Sequence, residues 1–328
     1  MVKLWRTVRD LWQSALPLPS DRIRAKPLVA PGLYTYRLQP TGGQIRIHLR
    51  VEPSGTGTLF VDVTEVIHLN ATAVEIAKWT LDGEEESTIA KRLFRQFAVP
   101  WKRCQSDVRA ITRMIDRFRE PSSGCPTCEL GDLQRADLFQ TPIRAPFKAD
   151  LAITYACNND CPHCYNEIDR LTLKSMSLAD WRKVVDRLVE VGIPHLIFTG
   201  GEASLYPELP ELIAYADARG PICGLNSNGR RFAQATFARR MAESGLNHLQ
   251  VTLGSHRGDV HDRMMNAHCF DQTVRGIRQA MDAGIHTITN TTLMRMNAEE
   301  ITDTVEFLYG LGIRTFAING MIYSGGGF

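Results

Sequence analysis

Three cysteines in a short run have the types and the spacing of metal ligands. Cys157, Cys161 and Cys164 form the pattern Cys-x3-Cys-x2-Cys, directly after an apolar stretch, Ala149–Tyr155, that is typical of a strand. A loop at the end of a strand can curl round a small iron–sulfur cluster and direct three thiolates at it. Ferredoxin-type clusters are normally held by four cysteines. Three ligands would therefore leave one iron of a four-iron cluster open for chemistry.

A second motif, Gly200-Gly201-Glu202, follows about forty residues later, after another strand-like stretch. Two glycines let backbone approach a ligand closely, and a carboxylate can accept hydrogen bonds from an ammonium group. Together the two motifs closely resemble the radical S-adenosylmethionine (SAM) superfamily, and the resemblance covers about Lys148–Asn319.

This resemblance implies the cofactors and the chemistry of the cysteine loop. It implies a [4Fe–4S] cluster held by Cys157, Cys161 and Cys164, with the amino and carboxylate groups of SAM chelating the open iron. One electron from the reduced cluster would cleave SAM, and the resulting 5′-deoxyadenosyl radical would abstract a hydrogen from the substrate. The protein supplies orientation and shielding. A reduced electron donor, a flavodoxin or a ferredoxin, is implied as a partner.

Four further residues are expected at the cofactor. His163 precedes the third cysteine, where the family usually has an aromatic residue near the adenine. Asn228 lies in a segment that resembles the family's Thr-Asn-Gly, and Thr252 lies where the family has Val-Ser-Leu-Asp and would offer its hydroxyl to the SAM ribose or carboxylate. Gly254 replaces the acidic residue of that segment. Asn290 is added because it ends the fifth predicted strand. The alternative for His163 is an ordinary surface or packing residue. For Asn228 and Thr252 it is plain loop polarity, and for Asn290 a polar strand end without function.

The cysteines also allow a structural zinc site. Cys161 and Cys164 could combine with a second pair, Cys125-x2-Cys128, as two zinc knuckles. Cys157 would then have no role, and zinc gives no reason for the Gly-Gly-Glu motif. The cluster interpretation is therefore favoured. Cys125 and Cys128 could bind a metal, either alone or together with cysteines outside this chain, or they could bind nothing.

The second half of the chain alternates strand and helix patterns. Alternating repeats of this kind give parallel strands with right-handed crossovers, and reactive groups collect at the carboxyl ends of the strands. In the resembling family, six repeats form a partial (β/α)6 TIM-like barrel. Asn297-Ala-Glu-Glu300 has the form of a capping box. The predicted strands are Ala149–Tyr155, His195–Thr199, Ile222–Asn226, His248–Leu253, Ile285–Thr291 and Ile313–Asn319; the predicted helices are Leu178–Val191, Pro207–Ala218, Phe232–Ser244, Asp271–Ala283 and Ala298–Tyr309.

The first half predicts a small α+β domain over residues 31–120. Residues 1–30 carry an amphipathic helical pattern, and a Pro-, Ser- and Gly-rich linker over 121–147 separates the domain from the barrel over 148–328. Asn70 is the expected N-cap of the first helix, and Ser106 or Asp107 is expected to open the third. The predicted strands are Leu33–Leu38, Gln44–Val51 and Thr58–Val63, and the first two helices are Ala71–Trp79 and Glu84–Phe97.

The helical part of this domain resembles a RiPP recognition element, a winged-helix-like (PqqD-like) module. The residues that carry the resemblance are the run from Ile67 to Trp79, the Asp82-Gly83 break and the run Ile89–Phe94. Such domains bind the leader of a ribosomally made precursor peptide, which adds a strand to a sheet edge. A winged helix used for packing or for nucleic acid is the alternative.

Composition excludes several classes of function. A formal charge of +2 gives no case for nucleic-acid binding, and no apolar run is long enough to span a membrane. The start of the chain lacks the apolar core of a signal peptide. Eight cysteines without an export signal therefore fit a reducing cytoplasm.

The end of the chain departs from the family pattern. Family members with a peptide-recognition domain usually continue into a cysteine-rich segment with auxiliary iron–sulfur clusters. This chain stops at Phe328, just past the sixth predicted strand. We therefore expect a fragment of a longer protein, with any auxiliary clusters outside this chain, or a partner that closes the barrel.

The sequence favours a radical SAM enzyme that modifies a precursor peptide, by a cross-link or another maturation step. A first alternative keeps the radical chemistry and changes the substrate to a small molecule, such as a nucleotide or a tetrapyrrole. A second alternative is a non-enzymatic binding protein whose fold is stabilised by a metal.

Overall fold

The computed structural model describes residues 28–39, 44–62, 65–97, 99–118, 143–166 and 172–327. These residues belong to two compact units, Met1–Ala145 and Pro146–Phe328. The amphipathic pattern before residue 28 and the Cys125-x2-Cys128 pair lie outside the described residues. No described helix is both long enough and apolar enough to cross a membrane.

The first unit is an antiparallel sheet followed by three helices. Its described strands pair in the order of the sequence, and the helices follow the last strand. The strands are β1 (Gly32–Leu38), β2 (Ile45–Val51), β3 (Gly57–Val61) and β4 (Glu65–Leu69), and the helices are α1 (Ala71–Leu81), α2 (Glu86–Gln96) and α3 (Trp101–Arg117).

The sheet has one strand more than the sequence predicted. Strand β4 was missed because it has only five residues, in which buried Ile67 and Leu69 alternate with exposed Val66 and His68. The alternation buries one face of the strand against the core, as is usual for an antiparallel sheet. Ile67 and Leu69 join the apolar core that this sheet face forms with α1 and α3.

The caps of the helices test two further predictions. Asn70 is the N-cap of α1, as predicted, because its side chain accepts a hydrogen bond from the Ala73 N–H at 2.9 Å. The start of α3 was predicted wrongly, since the helix begins at Trp101 rather than at Ser106 or Asp107. Its N-cap is Pro100. Proline is tolerated at helix starts because the first N–H groups have no partner inside the helix.

The second unit contains six parallel strands hydrogen-bonded in sequential order, from the sixth to the first. This confirms the α/β class and the partial-barrel architecture. The strands are β5 (Lys148–Thr154), β6 (His195–Gly200), β7 (Ile222–Ser227), β8 (His248–Thr252), β9 (His286–Leu293) and β10 (Phe316–Gly320). The helices are α4 (Leu178–Glu190), α5 (Leu209–Ala218), α6 (Ala235–Glu243), α7 (Gly258–Met265), α8 (Phe270–Asp282) and α9 (Ile301–Gly310).

The loop after β9 differs from the prediction. Asn297 does not cap a helix, because α9 begins at Ile301. The Asn297 amide instead donates to the carbonyls of Gly254 and Thr292 at 2.8 and 2.9 Å, and accepts from the Met294 N–H at 2.7 Å. The side chain is 1% exposed. Two bonds within its own loop and one to the distant Gly254 have thus replaced the capping box.

Two histidines meet at the amino end of the sheet, opposite the cysteine loop. Their Nε2 atoms, from His195 on β6 and His248 on β8, lie 2.7 Å apart across β7. The pair is possible because Gly224 of β7 has no side chain; a Cβ there would lie 2.2 Å from the His248 Nε2. One imidazole must donate while the other accepts, so at least one ring must be neutral.

Low pH is expected to destabilise the amino end of the sheet, where these two histidines are in contact. Burial, with smaller effects from His286 and Lys148, lowers the pKa of His248 from 6.5 to about 4. The folded state therefore binds fewer protons than the unfolded state, so the stabilisation is complete above pH 6.5 and is lost as the pH falls towards 4. We expect a loss of about 2–3 kcal/mol over that window.

Urea unfolding from pH 7.5 to 4.5 checks this expectation. His248→Gln should flatten the fall in the free energy of unfolding over this range, whereas His268→Gln, at a fully exposed side chain, should not. Parallel curves for wild type and His248→Gln would contradict the prediction.

Candidate functional site

The three cysteines lie on a turn that follows β5. All three are half-buried thiols without a disulfide. The Cys164 N–H donates to the Cys161 carbonyl at 3.0 Å, which forms the turn, and the Cys157 sulfur accepts from the Asn159 N–H at 3.4 Å. The backbone of the turn thus holds the loop in place.

The sulfur atoms are close enough to influence one another's ionisation. Burial, and then the neighbouring Cys157 and Cys164, raise the pKa of Cys161 to about 12. Its sulfur also lies 3.6 Å from the Met265 sulfur. A bound cation would offset this repulsion, because metal sites take thiolates rather than thiols.

Gly200 and Gly201 bring the end of β6 against the end of β5. Gly200 has a positive φ of +139°, and a Cβ there would lie 2.0 Å from the Thr154 carbonyl oxygen. A Cβ on Gly201 would lie 2.5 Å from the Tyr155 carbonyl oxygen. The Gly201 N–H donates to the Thr154 carbonyl at 2.8 Å. Both glycines are therefore needed for a close approach of backbone to backbone.

Glu202 is buried beside this contact. Its carboxylate is 1% exposed and accepts hydrogen bonds from the Ser227 hydroxyl at 2.8 Å, the Ser204 N–H at 3.0 Å and the Asn228 N–H at 2.7 Å. Donors of the protein itself therefore already bind the Glu202 carboxylate, which the sequence predicted to accept hydrogen bonds from an ammonium group. A carboxylate has about four lone-pair sites, so one further bond is possible.

The loop after β7 clamps the cysteine loop. The Asn228 amide donates to the Asn158 side chain at 2.7 Å. Arg230 donates to the Asn158 carbonyl and, at 2.8 Å, to the side-chain oxygen of Asn159. Sequence reasoning found Asn228 and missed Arg230. The available signal was a charged residue directly after Gly229, at the carboxyl end of a predicted strand.

Thr252 and Asn290 lie beside each other on the paired strands β8 and β9. The Asn290 side chain accepts from the Asn319 amide at 2.7 Å. Among the described residues, no hydrogen bond joins either residue to the cysteine loop. His163 lies on that loop, where burial lowers its pKa, and its Nδ1 is buried without a hydrogen-bond partner.

A glycine segment after β10 also reaches the cysteine loop. The Gly326 N–H donates to the Cys164 carbonyl at 2.8 Å. A Cβ on Gly325 would lie 2.1 Å from the Asn166 carbonyl oxygen, and one on Gly326 would lie 2.6 Å from that of Pro162. Only glycine allows so close an approach at these two positions.

A second group of metal-ligand types lies in the described residues, at His261, Asp262 and Cys269. The His261 Nδ1 accepts from the Gly254 N–H at 3.1 Å, and Asp262 accepts from the backbone N–H groups of Cys269 and Phe270, both at 2.9 Å. These bonds order the start of α8. These hydrogen bonds therefore account for the close approach of the three side chains.

The second unit of the chain matches a known protein family. Residues 151–308 match the family model of the Radical SAM superfamily. The chain carries a radical SAM domain. The match covers the cysteine loop and the strands β6 to β9, where the predicted cofactor residues lie.

Curated relatives of this radical SAM domain have names that describe different functions. Fe-coproporphyrin III synthase of Methanosarcina barkeri is 27% identical, over 53% of this chain and 44% of the relative. AdoMet-dependent heme synthase of Nitratidesulfovibrio vulgaris is 32% identical, over 49% and 44%. The subtilosin biosynthesis protein AlbA of Bacillus subtilis is 26% identical, over 55% and 40%. This chain therefore spans half or less of the length of these relatives.

The fold is also similar to a solved structure. SuiB of Streptococcus suis, bound to its precursor peptide SuiA, matches 84% of this chain and 62% of that chain, with a TM-score of 0.58 and 15% identity. At this identity the likeness concerns the fold alone. The matched share is larger than the radical SAM unit, so the likeness extends into the first unit.

The residues of this radical SAM domain fit the family's cofactors, a [4Fe–4S] cluster and SAM. The cysteine loop offers three reduced, half-buried sulfur donors, which is the donor type of iron–sulfur sites. His163 Nδ1 on this loop and Ser204 Oγ beside Glu202 are buried and unpaired among the described residues. Leaving such atoms unpaired is costly, so a polar ligand at these positions is favoured.

Proposed function

We propose that this protein is an enzyme that binds a [4Fe–4S] cluster through Cys157, Cys161 and Cys164 and cleaves SAM reductively. The observation that carries the proposal is a loop of three cysteines without a disulfide, tied by backbone hydrogen bonds to the Gly200–Glu202 turn, inside a matched radical SAM domain. When bound, the cofactors supply a 5′-deoxyadenosyl radical. Reduced cysteines fit the cytoplasm as the compartment.

The protein side chains position and shield the cofactors. Glu202, held rigidly by three donors, would accept one further hydrogen bond from the SAM ammonium group. His163 would face the adenine, and Thr252 the ribose or the carboxylate. Asn228 would hold the cysteine loop in place while lying near SAM. Asn290, next to Thr252, would complete the polar end of the strands.

We further propose that the substrate is a ribosomally made precursor peptide. Some relatives have names that concern peptide maturation: AlbA, the PqqA peptide cyclase of Granulibacter bethesdensis and the mycofactocin maturase MftC of Mycobacterium tuberculosis. The likeness to SuiB, which was solved with a precursor peptide, extends into the first unit. Both observations support a peptide substrate.

The first unit would hold the leader of this peptide at the β4 edge. Among the described residues, β4 pairs only with β3, so its other edge can receive a strand. Val66 on this edge strand is 44% exposed. The opposite edge strand, β1, has Tyr36 bonded to Asp82 at 2.9 Å. A tethered leader would raise the effective concentration of the core residue at the radical site.

A tetrapyrrole is the second candidate substrate. The observation that favours it is the similarity to Fe-coproporphyrin III synthase and to heme synthase, at 27% and 32% identity. The first unit would then be a structural appendage.

Two measurements on the full-length protein test these proposals. After anaerobic reconstitution with iron and sulfide, dithionite and SAM should yield 5′-deoxyadenosine; none would overturn the radical SAM proposal. Titration with the leader of a precursor peptide encoded beside the gene should show saturable binding. Val66→Pro on β4 should weaken this binding, whereas Glu86→Pro, at the exposed first residue of α2, should not. Coproporphyrin binding without leader binding would instead support the tetrapyrrole.

A further inference from the structure

A pocket of about 360 Å³ lies behind the cysteine loop and is lined by arginines. Arg230, Arg231 and Arg275 contribute to its wall, together with the polar side chains of Asn158 and Gln272. No carboxylate lines it. The net charge of the whole chain is only +2, so this concentration of positive charge is local.

The pocket adjoins the metal-binding loop directly. Asn158 follows Cys157 in the sequence, and Arg230 donates to the carbonyl of Asn158. Arg230 lies just after β7, and Arg275 lies in the second turn of α8, which leads back towards the start of β9. Both arginines are therefore at the carboxyl end of the strands, where the cysteine loop lies.

The guanidinium group of Arg275 is available to bind a partner. It is exposed and makes no hydrogen bond or ion pair with any described residue, although Asp271 lies one helical turn before it. Arg230 uses its Nε on Gln272 at 2.8 Å and its Nη1 on the cysteine loop. Arg231 donates to the Ser204 carbonyl. Each guanidinium has five N–H donors, so donors remain on all three arginines.

We propose that this arginine pocket is the docking surface for the acidic protein that supplies the electron, a carrier of the flavodoxin or ferredoxin class. The inference rests on the proposed function. The carrier would lose one electron, and the cluster that Cys157, Cys161 and Cys164 would hold would gain it. Carboxylates on the carrier would form charge-assisted, bidentate hydrogen bonds with the free guanidinium donors.

A protein fits the pocket better than a small anion does. Arg275 is exposed, and Arg230 and Arg231 are only half-buried, so water screens their charges and a small free anion gains little from them. Electron-transfer complexes are small and transient, and complementary charges mainly accelerate their encounter. A docked carrier would place its redox centre close to the cysteine loop, which a site elsewhere on the barrel would not.

Binding measurements with immobilised protein and purified flavodoxin or ferredoxin test the proposal. Arg275→Glu should weaken carrier binding at least about tenfold, whereas Arg275→Lys should weaken it less. Arg278→Glu is the matched control, because Arg278 is exposed on the same helix and does not line the pocket. Raising the salt from about 0.05 to 0.5 M should weaken wild-type binding and should matter less for Arg275→Glu.

The outcomes separate this inference from the proposed function. With dithionite as the reductant, Arg275→Glu should form 5′-deoxyadenosine as wild type does, because no carrier is needed. If wild type forms none with dithionite, the proposed function fails. If wild type does form 5′-deoxyadenosine, three results would overturn the docking surface. These are no binding of either carrier, equal weakening of carrier binding by Arg275→Glu and Arg278→Glu, or an Arg275-dependent site that binds only inorganic phosphate.

Discussion

Replacing Cys161 with serine is expected to remove the iron–sulfur cluster and to abolish the formation of 5′-deoxyadenosine. A serine hydroxyl does not ionise near neutral pH and cannot replace a thiolate, so a site with three sulfur ligands would be left with two. The loss should exceed the 10–100-fold that is typical when a group beyond the direct ligands is removed. Iron content and electron paramagnetic resonance after anaerobic reconstitution measure the first effect, and nucleoside analysis measures the second.

Cys223→Ser is the matched control for this change. Cys223 is fully buried on β7, and its sulfur lies 3.9 Å from the carbonyl oxygens of Ile213 and Pro221. A serine there should leave the iron content unchanged. Equal loss of iron in both variants would show that the effect comes from misfolding rather than from lost ligation. Full iron content in Cys161→Ser would contradict the assignment of this cysteine.

Changing Glu202 to glutamine should lower both the stability of the protein and its affinity for SAM. Both carboxylate oxygens accept hydrogen bonds: one from Ser204 and Ser227, the other from the Asn228 N–H. In either orientation, an amide NH2 would face at least one backbone N–H donor in a buried site. Hydrogen bonds to a charged group contribute about 1.5–3 kcal/mol, so we expect the free energy of unfolding to fall by about 2–3 kcal/mol.

Urea unfolding without SAM measures the stability effect, and equilibrium binding of SAM measures the other. Glu208→Gln, at an exposed carboxylate that makes no capping hydrogen bond to α5, is the matched control and should change neither value. Unchanged stability in Glu202→Gln would show that the three protein donors contribute little. Unchanged SAM affinity would exclude Glu202 from the cofactor site.

The barrel could be predicted from the sequence because its strands carry strong local signals. The apolar run around Leu196 is a central parallel strand, β6, in which Leu196, Ile197 and Phe198 are all buried and form a continuous apolar segment. The starts at His195, Ile222 and His248 were predicted correctly, and the other strand boundaries were misplaced by one to three residues, since the ends of a strand depend on pairing with neighbouring strands. The cysteine motif was likewise visible because its spacing is local.

Features that depend on distant contacts could not be predicted. The capping box at Asn297 failed because its side-chain oxygen, the group that would cap a helix, accepts from the Met294 N–H, while its amide nitrogen donates to the carbonyl of Gly254, far away in sequence. Helix α7 (Gly258–Met265) was missed because it is short and half polar. The contact of Arg230 with the cysteine loop joins residues about seventy positions apart, and no spacing rule reports it.

The glycine segment after β10 has a consequence for how a substrate reaches the barrel. Strands β5 and β10 are the two outer strands of the six-stranded sheet, yet the chain leaving one hydrogen-bonds to the loop that follows the other, between Gly326 and Cys164. This segment therefore connects the two edge strands on the open side of the partial barrel through one backbone hydrogen bond. A large substrate entering between these edge strands would have to displace the glycine segment and break that hydrogen bond. Entry of the substrate would thus displace the backbone of Cys164, one of the three proposed cluster ligands, before any reaction begins.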